Sequence, residues 1–346
     1  MSAEPEPVTT AVAAILPRCY GIVPSAVVHG PRGTATHNYV VEGEDGRRWF
    51  VKAYPPGTDL QGEQEALRLA EFARSREVRV PAVRRSAADE LIVAAEGTAV
   101  SVSEYLDGAH TAEGGLQGRR WAAVGEAVGC LHRVLARHPA GPPRPVPARE
   151  VCDVERARQR LERLLAQYEG GTTGGEFATW ARQTAEQRHA ALPRVAALLE
   201  GLPPMLTAQI VHGDLASPNV LLRGQEVAGL IDFRPPRHRS AVWELGRIIL
   251  DPRTVLANPD WPAGLGEAVA AYREENPGLP VGDLLAVPRV AAGYLACSVY
   301  PLSEPVDSPA AVTPELEAYG RARHVAVGLL TERLDEAEEV LRDRLT

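Results

Sequence analysis

Lysine is all but missing from this chain of 346 residues: Lys52 is the only one, and every other basic residue among the 37 Lys and Arg is an arginine. Cysteine is scarce as well. Cys19, Cys130, Cys152 and Cys297 lie far apart and form no CxxC pair, which argues against a zinc site or a disulfide framework and fits a reducing cytoplasm. There is no excess of positive charge. A formal net charge of -8 argues against a nucleic-acid partner, whose affinity would rest on a basic surface. No long apolar run is present either. The most apolar late stretch, near residues 284–302, is interrupted by Pro288 and Arg289 and is not expected to span a bilayer. The N-terminus, Met1-Ser2-Ala3-Glu4-Pro5, lacks the basic segment of a secretory signal. No internal repeat is evident. What remains is 45% hydrophobic and 24% charged residues, the composition of a soluble globular protein with a core large enough for one big domain or two of ordinary size.

Periodicity orders the chain into two parts. Residues 8–18 read as a short helix. From Ala26 to Tyr54 two strands are expected, joined by a hairpin at Glu44-Asp45-Gly46. The second strand carries Trp49-Phe50-Val51-Lys52-Ala53-Tyr54. An amphipathic helix follows over residues 60–75, with Leu60, Glu63, Ala66, Leu67, Ala70 and Ala73 on one face. Glu63 is the oddity there, because a carboxylate on an apolar face needs a partner or loses solvation free energy. Further strands are expected near 82–85, 90–94 and 99–106. Beyond Gly108 the pattern becomes helical: residues 119–135 carry the stripe Trp121, Val124, Val128, Leu131 and Leu135. A proline-rich linker over 139–147 precedes helices at about 151–168 and 175–200, and helix dominates again after Trp261. Strands first and helices after predict an α+β protein of two lobes with a hinge near Glu104 to Gly108.

The chemistry concentrates in Val211-His212-Gly213-Asp214-Leu215-Ala216-Ser217-Pro218-Asn219. After it come an apolar strand, a turn at Arg223-Gly224, and a returning strand that ends in Asp232-Phe233. A tight hairpin of this kind brings Asp214, Asn219 and Asp232 together. Their hard oxygen donors suit octahedral Mg²⁺, which keeps waters and takes its remaining ligands from nucleotide phosphates.

At this point the chain resembles the aminoglycoside phosphotransferase and choline-kinase-like family of the protein-kinase-like fold. The matching residues are His212-Gly213-Asp214 with Asn219, then Leu230-Ile231-Asp232-Phe233 after a short hairpin, and their spacing follows the kinase pattern. The resemblance implies a bilobal fold: an N-terminal lobe of antiparallel sheet and one main helix over residues 1–103, a hinge over 104–108, and a larger, mostly helical lobe over 109–346. Helices near 151–200 and 262–346 would hold the substrate. It further implies that Asp214 is the catalytic aspartate and that Asn219 and Asp232 bind Mg²⁺. Lys52 would clamp the ATP phosphates with Glu63 as its ion-pair partner, Gly33 would belong to a phosphate-covering turn, and the backbone of Glu104 and Leu106 would meet the adenine edge. The implied reaction moves the γ-phosphate of ATP to a hydroxyl of a small molecule. Arginine- and alanine-rich usage adds the expectation of an antibiotic or related natural product as acceptor. A metabolic kinase of homoserine, choline or a sugar is the alternative, followed by a nucleotide-binding pseudokinase.

Three departures from that pattern matter. Gly213 stands where protein kinases have the arginine that reads a phosphorylated activation loop, which fits a constitutively assembled enzyme. Glu244, in Trp243-Glu244-Leu245-Gly246, stands where relatives often carry an aspartate brace. His212 and His132 are expected to be structural. The segment Arg234-Pro235-Pro236-Arg237-His238-Arg239 is unusually basic, and Arg234 and Arg237 are candidate contacts for an anionic acceptor or the γ-phosphate.

Overall fold

The structure is a computed structural model and describes residues 6–31, 36–171 and 174–345. The chain divides into two compact units. One comprises Met1–His110 with Asn219–Pro236, the other Thr111–Pro218 with Arg237–Thr346.

The first unit is built on an antiparallel sheet. Its strands are β1 (Pro24–His29), β2 (His37–Gly43), β3 (Arg48–Tyr54), β4 (Val83–Arg84), β5 (Val93–Ala95) and β6 (Thr98–Glu104). They run in the order β1-β2-β3-β6-β4, with β5 also pairing β6. The stretch before Tyr54 thus holds three strands rather than the expected two, because Gly30-Pro31 ends β1 and the Gly30 N–H closes back on the Asn38 carbonyl at 2.8 Å. The hairpin at Gly43–Gly46 forms as its sequence suggests, with Gly46 at φ +76°, a conformation only glycine adopts at little cost. Alternation along β3 sends Val51 and Ala53 into the core with Tyr39, Val41, Val100 and Val102, under Ile15, Leu16 and Tyr20 of the N-terminal segment. Lys52 between them takes the opposite face, flanked by Asn38 on β2 and Ser101 on β6. The helix Leu60–Arg74 starts at an Asp59 cap that accepts the Gly62 N–H.

The hairpin of Val220–Arg223 and Glu226–Leu230 groups with this unit, although the sequence placed it in the C-terminal lobe. Specific bonds account for that. The Leu230 N–H donates to the Arg79 carbonyl at 2.9 Å, the Arg79 guanidinium to the Val227 carbonyl at 2.7 Å, and Arg223 to the Asp107 carbonyl at 2.7 Å.

The second unit is mostly helical. Its central pair, Arg120–Leu135 and Trp261–Glu275, approaches closely because glycines sit at the crossing. A Cβ on Gly125 would lie 2.0 Å from the Ala268 carbonyl oxygen, and one on Gly264 would lie 2.2 Å from the Trp121 ring. Gly125→Ala is therefore expected to destabilise the fold by about 3 kcal/mol, measurable as a lowered midpoint in urea at unchanged slope. Helices Val154–Gly170 and Glu176–Leu199 pack through Leu161, Leu164, Tyr168, Ala181 and Ala185. Two segments expected as irregular are strands. Arg144–Pro147 and His238–Ser240 flank Met205–Ile210 in a three-stranded sheet, and prolines are tolerated in the first because it is an edge. Among the described residues, no helix is long and apolar enough to cross a membrane.

Candidate active site

Strand Met205–Ile210 delivers the segment Val211–Asp214, and burial locks it in place. Val211 and His212 are fully buried, and Gly213 turns the chain at φ +92°. Glu244, also fully buried, holds the turn from below. Its carboxylate accepts the N–H groups of His212 at 2.9 Å and Gly213 at 2.7 Å and the ring of His132 at 3.0 Å. The other His132 nitrogen meets the Tyr272 hydroxyl at 2.9 Å. Burial alone works against the Glu244 anion, yet the His132 hydrogen bond, the electrostatic influence of the His132 and His212 rings and the Gly213 N–H outweigh it and hold its pKa below the ordinary carboxylate value. The brace anticipated for Glu244 and the structural roles of both histidines thus form a single network.

A stability prediction follows from the sign of that shift. A carboxyl with a lowered native pKa stabilises the fold above its unfolded pKa, near about 4.3, and the contribution disappears as pH falls through the native value. Glu244→Gln should lose stability at neutral pH by about 3 kcal/mol, since a buried charged network is left with a missing partner. Its melting temperature should then fall less steeply than the wild type's on acidification, which thermal unfolding across pH will read.

Asp214 follows the turn. Its N–H donates to His212 Nδ1 at 3.3 Å, and its carboxylate receives Arg247 Nη2 at 2.7 Å. Arg247 is one helical turn beyond Glu244 on the helix Ala241–Ile249, so one short helix serves both the turn and the aspartate. The sequence reading did not pick out Arg247, although its i+3 spacing from Glu244 was the available signal. Ser217, Asp251 and Arg253 were also passed over. The Ser217 hydroxyl donates to the buried Asp251 at 2.9 Å, and Arg253 joins Ser217 at 3.1 Å and Glu113 at 3.1 Å.

In the first unit, Lys52 forms an ion pair with Asp232. The expected pairing with Glu63 is not among the ion pairs of the described residues, and Glu63 remains half-buried on its helix. Asp232 sits at φ +63°, a left-handed conformation unusual for a residue with a side chain and a frequent mark of functional sites. Asn219 lies beside it in the fold: the Ile231 N–H donates to the Asn219 carbonyl at 3.0 Å. The side chains of Asn219 and Asp232 are hard oxygen donors from the paired ends of one hairpin, a set that suits Mg²⁺ or Ca²⁺ with phosphates and waters completing the shell. Among the described residues, no group of three or more His, Cys, Asp or Glu could hold a metal ion.

At the end of β6, the Glu104 N–H donates to the Ala82 carbonyl at 2.8 Å and the Glu104 carboxylate accepts the Ala82 N–H at 3.2 Å. Arg48 forms an ion pair with Asp107. The Leu106 carbonyl accepts the Ala109 N–H at 3.2 Å. Gly33 lies outside the described residues. Arg234 and Arg237 are exposed and fall in different units. Their neighbour Arg239 stacks on Trp243 at 5.2 Å.

The first unit thus carries a sheet-borne lysine paired with the aspartate that follows a hairpin, and the second a His-Gly-Asp turn braced by a buried glutamate. The model of the phosphotransferase enzyme family (APH) matches residues 28–285; the chain belongs to that family, whose members phosphorylate hydroxyl groups of small molecules. Solved structures agree on the fold. A spectinomycin phosphotransferase in complex with ADP and spectinomycin is 13% identical, with TM-score 0.62, covering 92% of this chain and 96% of its own. An amicoumacin kinase with AMP-PNP and Ca²⁺ is 16% identical, TM-score 0.59, covering 92% of both chains. A microcompartment-associated aminopropanol kinase is 15% identical, TM-score 0.54, covering 94% of this chain and 98% of its own. No curated protein matches the sequence.

Proposed function

We propose that the protein transfers the γ-phosphate of ATP, with Mg²⁺, to a hydroxyl of a small natural product, antibiotics included. The observation that carries this reading is the Lys52–Asp232 ion pair, with Asp232 just after a hairpin that Asn219, five positions beyond Asp214, immediately precedes. When bound, Mg²⁺ would neutralise phosphate charge between Asn219 and Asp232. Lys52 would hold the phosphate oxygens. Asp214, fixed by Arg247, would orient the acceptor hydroxyl and take its proton as the oxygen attacks phosphorus and ADP leaves. Catalysis of this type is mainly positioning and charge neutralisation. The free cysteines support a reducing cytoplasm as its place of action.

Support for a natural-product acceptor comes from the neighbours that act on spectinomycin and amicoumacin. The aminopropanol kinase supports the second reading, a metabolic alcohol kinase. An acceptor screen scored by the mass gain of one phosphate decides between them. Antibiotics and nucleoside antibiotics form one arm, amino alcohols, homoserine and sugars the other. Turnover confined to the second arm would overturn the natural-product reading, and Mg²⁺-dependent ATP binding without ADP release on any acceptor would make the protein a nucleotide-binding module.

A further inference from the structure

Next to Asp214, within the second unit, a narrow recess with a cavity volume of about 10 Å³ is lined by Ala216, Arg247, Asp251, Tyr294, Tyr319 and Arg323, among others. Arg323 is its unusual feature. The residue is only 3% exposed, yet its Nε and Nη2 have no hydrogen-bond partner. Its Nη1 donates a long bond to the Tyr319 hydroxyl at 3.4 Å; burial works against its charge, but Tyr319 and Tyr294 outweigh burial and hold its pKa up. The guanidinium instead faces aromatic rings, 5.6 Å from Tyr294, 5.9 Å from Tyr300 and 5.7 Å from Tyr319.

A second buried arginine makes the imbalance worse. Arg188 spends Nη1 on the Leu295 and Ser298 carbonyls but leaves Nε and Nη2 unpartnered. Burial and then the charge of neighbouring Arg323 push its pKa down to about 10. The carboxylates nearby are already engaged. Asp214 holds Arg247 at 2.7 Å, and Asp251 holds the Ser217 hydroxyl and the Arg253 N–H, both at 2.9 Å. Two desolvated guanidinium groups side by side, with four idle nitrogens and no acid of their own, are unfavourable unless an anion joins them. Arginine's planar fork matches carboxylate and phosphate oxygens two at a time.

We propose that this recess anchors an oxyanion of the acceptor, carboxylate or phosphate, through Arg323, so that the enzyme's substrates are acidic alcohols rather than polycationic aminoglycosides. That the anchor serves an acceptor rests on the phosphotransferase reading; that it binds an oxyanion does not. The recess as it stands has room for about one water, so an oxyanion enters by displacing the half-buried Tyr319 ring, on which Arg253 stacks at 4.1 Å. The occupied arginine–aromatic stacks leave Tyr294 and Tyr319 unavailable as a cage for a cationic substrate.

The first test needs no known acceptor. Melting temperatures of the wild type and Arg323→Met are compared with and without acetate or inorganic phosphate, with Mg²⁺ and AMP-PNP saturating so that the nucleotide site is filled. Salts act on both proteins in general ways, so the difference between them is the reading. Without oxyanion the variant should equal or exceed the wild type, because an unpaired buried charge is gone; with oxyanion the wild type should gain several degrees more. Equal gains would overturn the proposal. Arg323→Lys, which keeps charge but not the fork, serves the same comparison should the methionine variant fold poorly. Asp214→Asn, whose amide oxygen still accepts the Arg247 hydrogen bond, should retain the wild-type anion effect even though transfer is lost, which separates this inference from the catalytic assignment. The second test uses any acceptor the screen yields. Hydroxy acids and phosphorylated sugars distinguish the two oxyanion sources, and kcat/KM for the productive one should fall by about 30-fold in Arg323→Met, with the KM for ATP unchanged. A polycationic acceptor whose kinetics ignore the substitution would overturn the proposal.

Discussion

Asp214→Ala is expected to lower kcat for phosphoryl transfer by about 10³-fold, within the span that a positioned general base contributes, while nucleotide affinity changes little. The proposed nucleotide and metal positions are Lys52, Asn219 and Asp232, so the substitution removes none of the proposed phosphate or metal contacts. The alanine also strips Arg247 of its carboxylate, and an unpaired, largely buried guanidinium could disturb the loop by itself. Asp214→Asn separates the two effects. Asparagine can still accept the Arg247 hydrogen bond through its amide oxygen, but it cannot take a proton. Both variants should be equally inactive if proton acceptance is the role, whereas recovery in the asparagine variant would reduce Asp214 to a tether for Arg247. ADP formation with a productive acceptor, set beside AMP-PNP binding by calorimetry, provides both readouts.

The residues proposed to carry the reaction stand out because local spacing carries them. His212-Gly213-Asp214, Asn219 and Asp232 lie within one short stretch, and Lys52 is unique in composition. Residues brought in from far along the chain do not. Arg323 is more than a hundred positions after Asp214 and lies on a helix, Pro314–Glu332, whose surface is rich in ordinary charge. Nothing in its neighbourhood distinguishes a buried arginine from a solvated one. The partner of Lys52 shows a related limit. Helix projection correctly placed Glu63 beside apolar positions, but half-exposure removes the need for a partner that full burial would impose, and Lys52 is drawn instead to Asp232. Strand boundaries failed where proline punctuates without breaking. Arg144–Pro147 keeps an extended backbone at a sheet edge, and His238–Ser240 takes its order from Met205–Ile210 rather than from its own composition. Positions such as Gly125 show the converse. The helical stripe through Trp121, Val124, Val128 and Leu131 was readable, but the need for a bare backbone opposite Ala268 exists only once the second helix is in place.

Lys52→Arg, which keeps the charge, is nevertheless expected to reduce kcat/KM for ATP by about 100-fold, the scale of losing one well-placed cation from a developing phosphate charge. The environment of Lys52 explains why. Its stem rises from a central strand between Asn38 and Ser101, and its ammonium reaches Asp232 as a compact point charge. A planar fork of fixed geometry, longer by its guanidinium, cannot occupy that position without shifting the aspartate that would hold the metal. The loss should not be one of folding. The ion pair is part-exposed, with side-chain exposures of 24% and 44%, and pairs of that kind contribute only about 1 kcal/mol or less. Lys52→Met should therefore melt within a few degrees of the wild type while losing more activity than the arginine variant, since it removes the charge altogether and leaves Asp232 without its cation. A rate for Lys52→Arg within a few-fold of the wild type would mean that the single lysine of this chain is an accident of composition. A graded loss from lysine to arginine to methionine at near-constant melting temperature would make it the phosphate clamp.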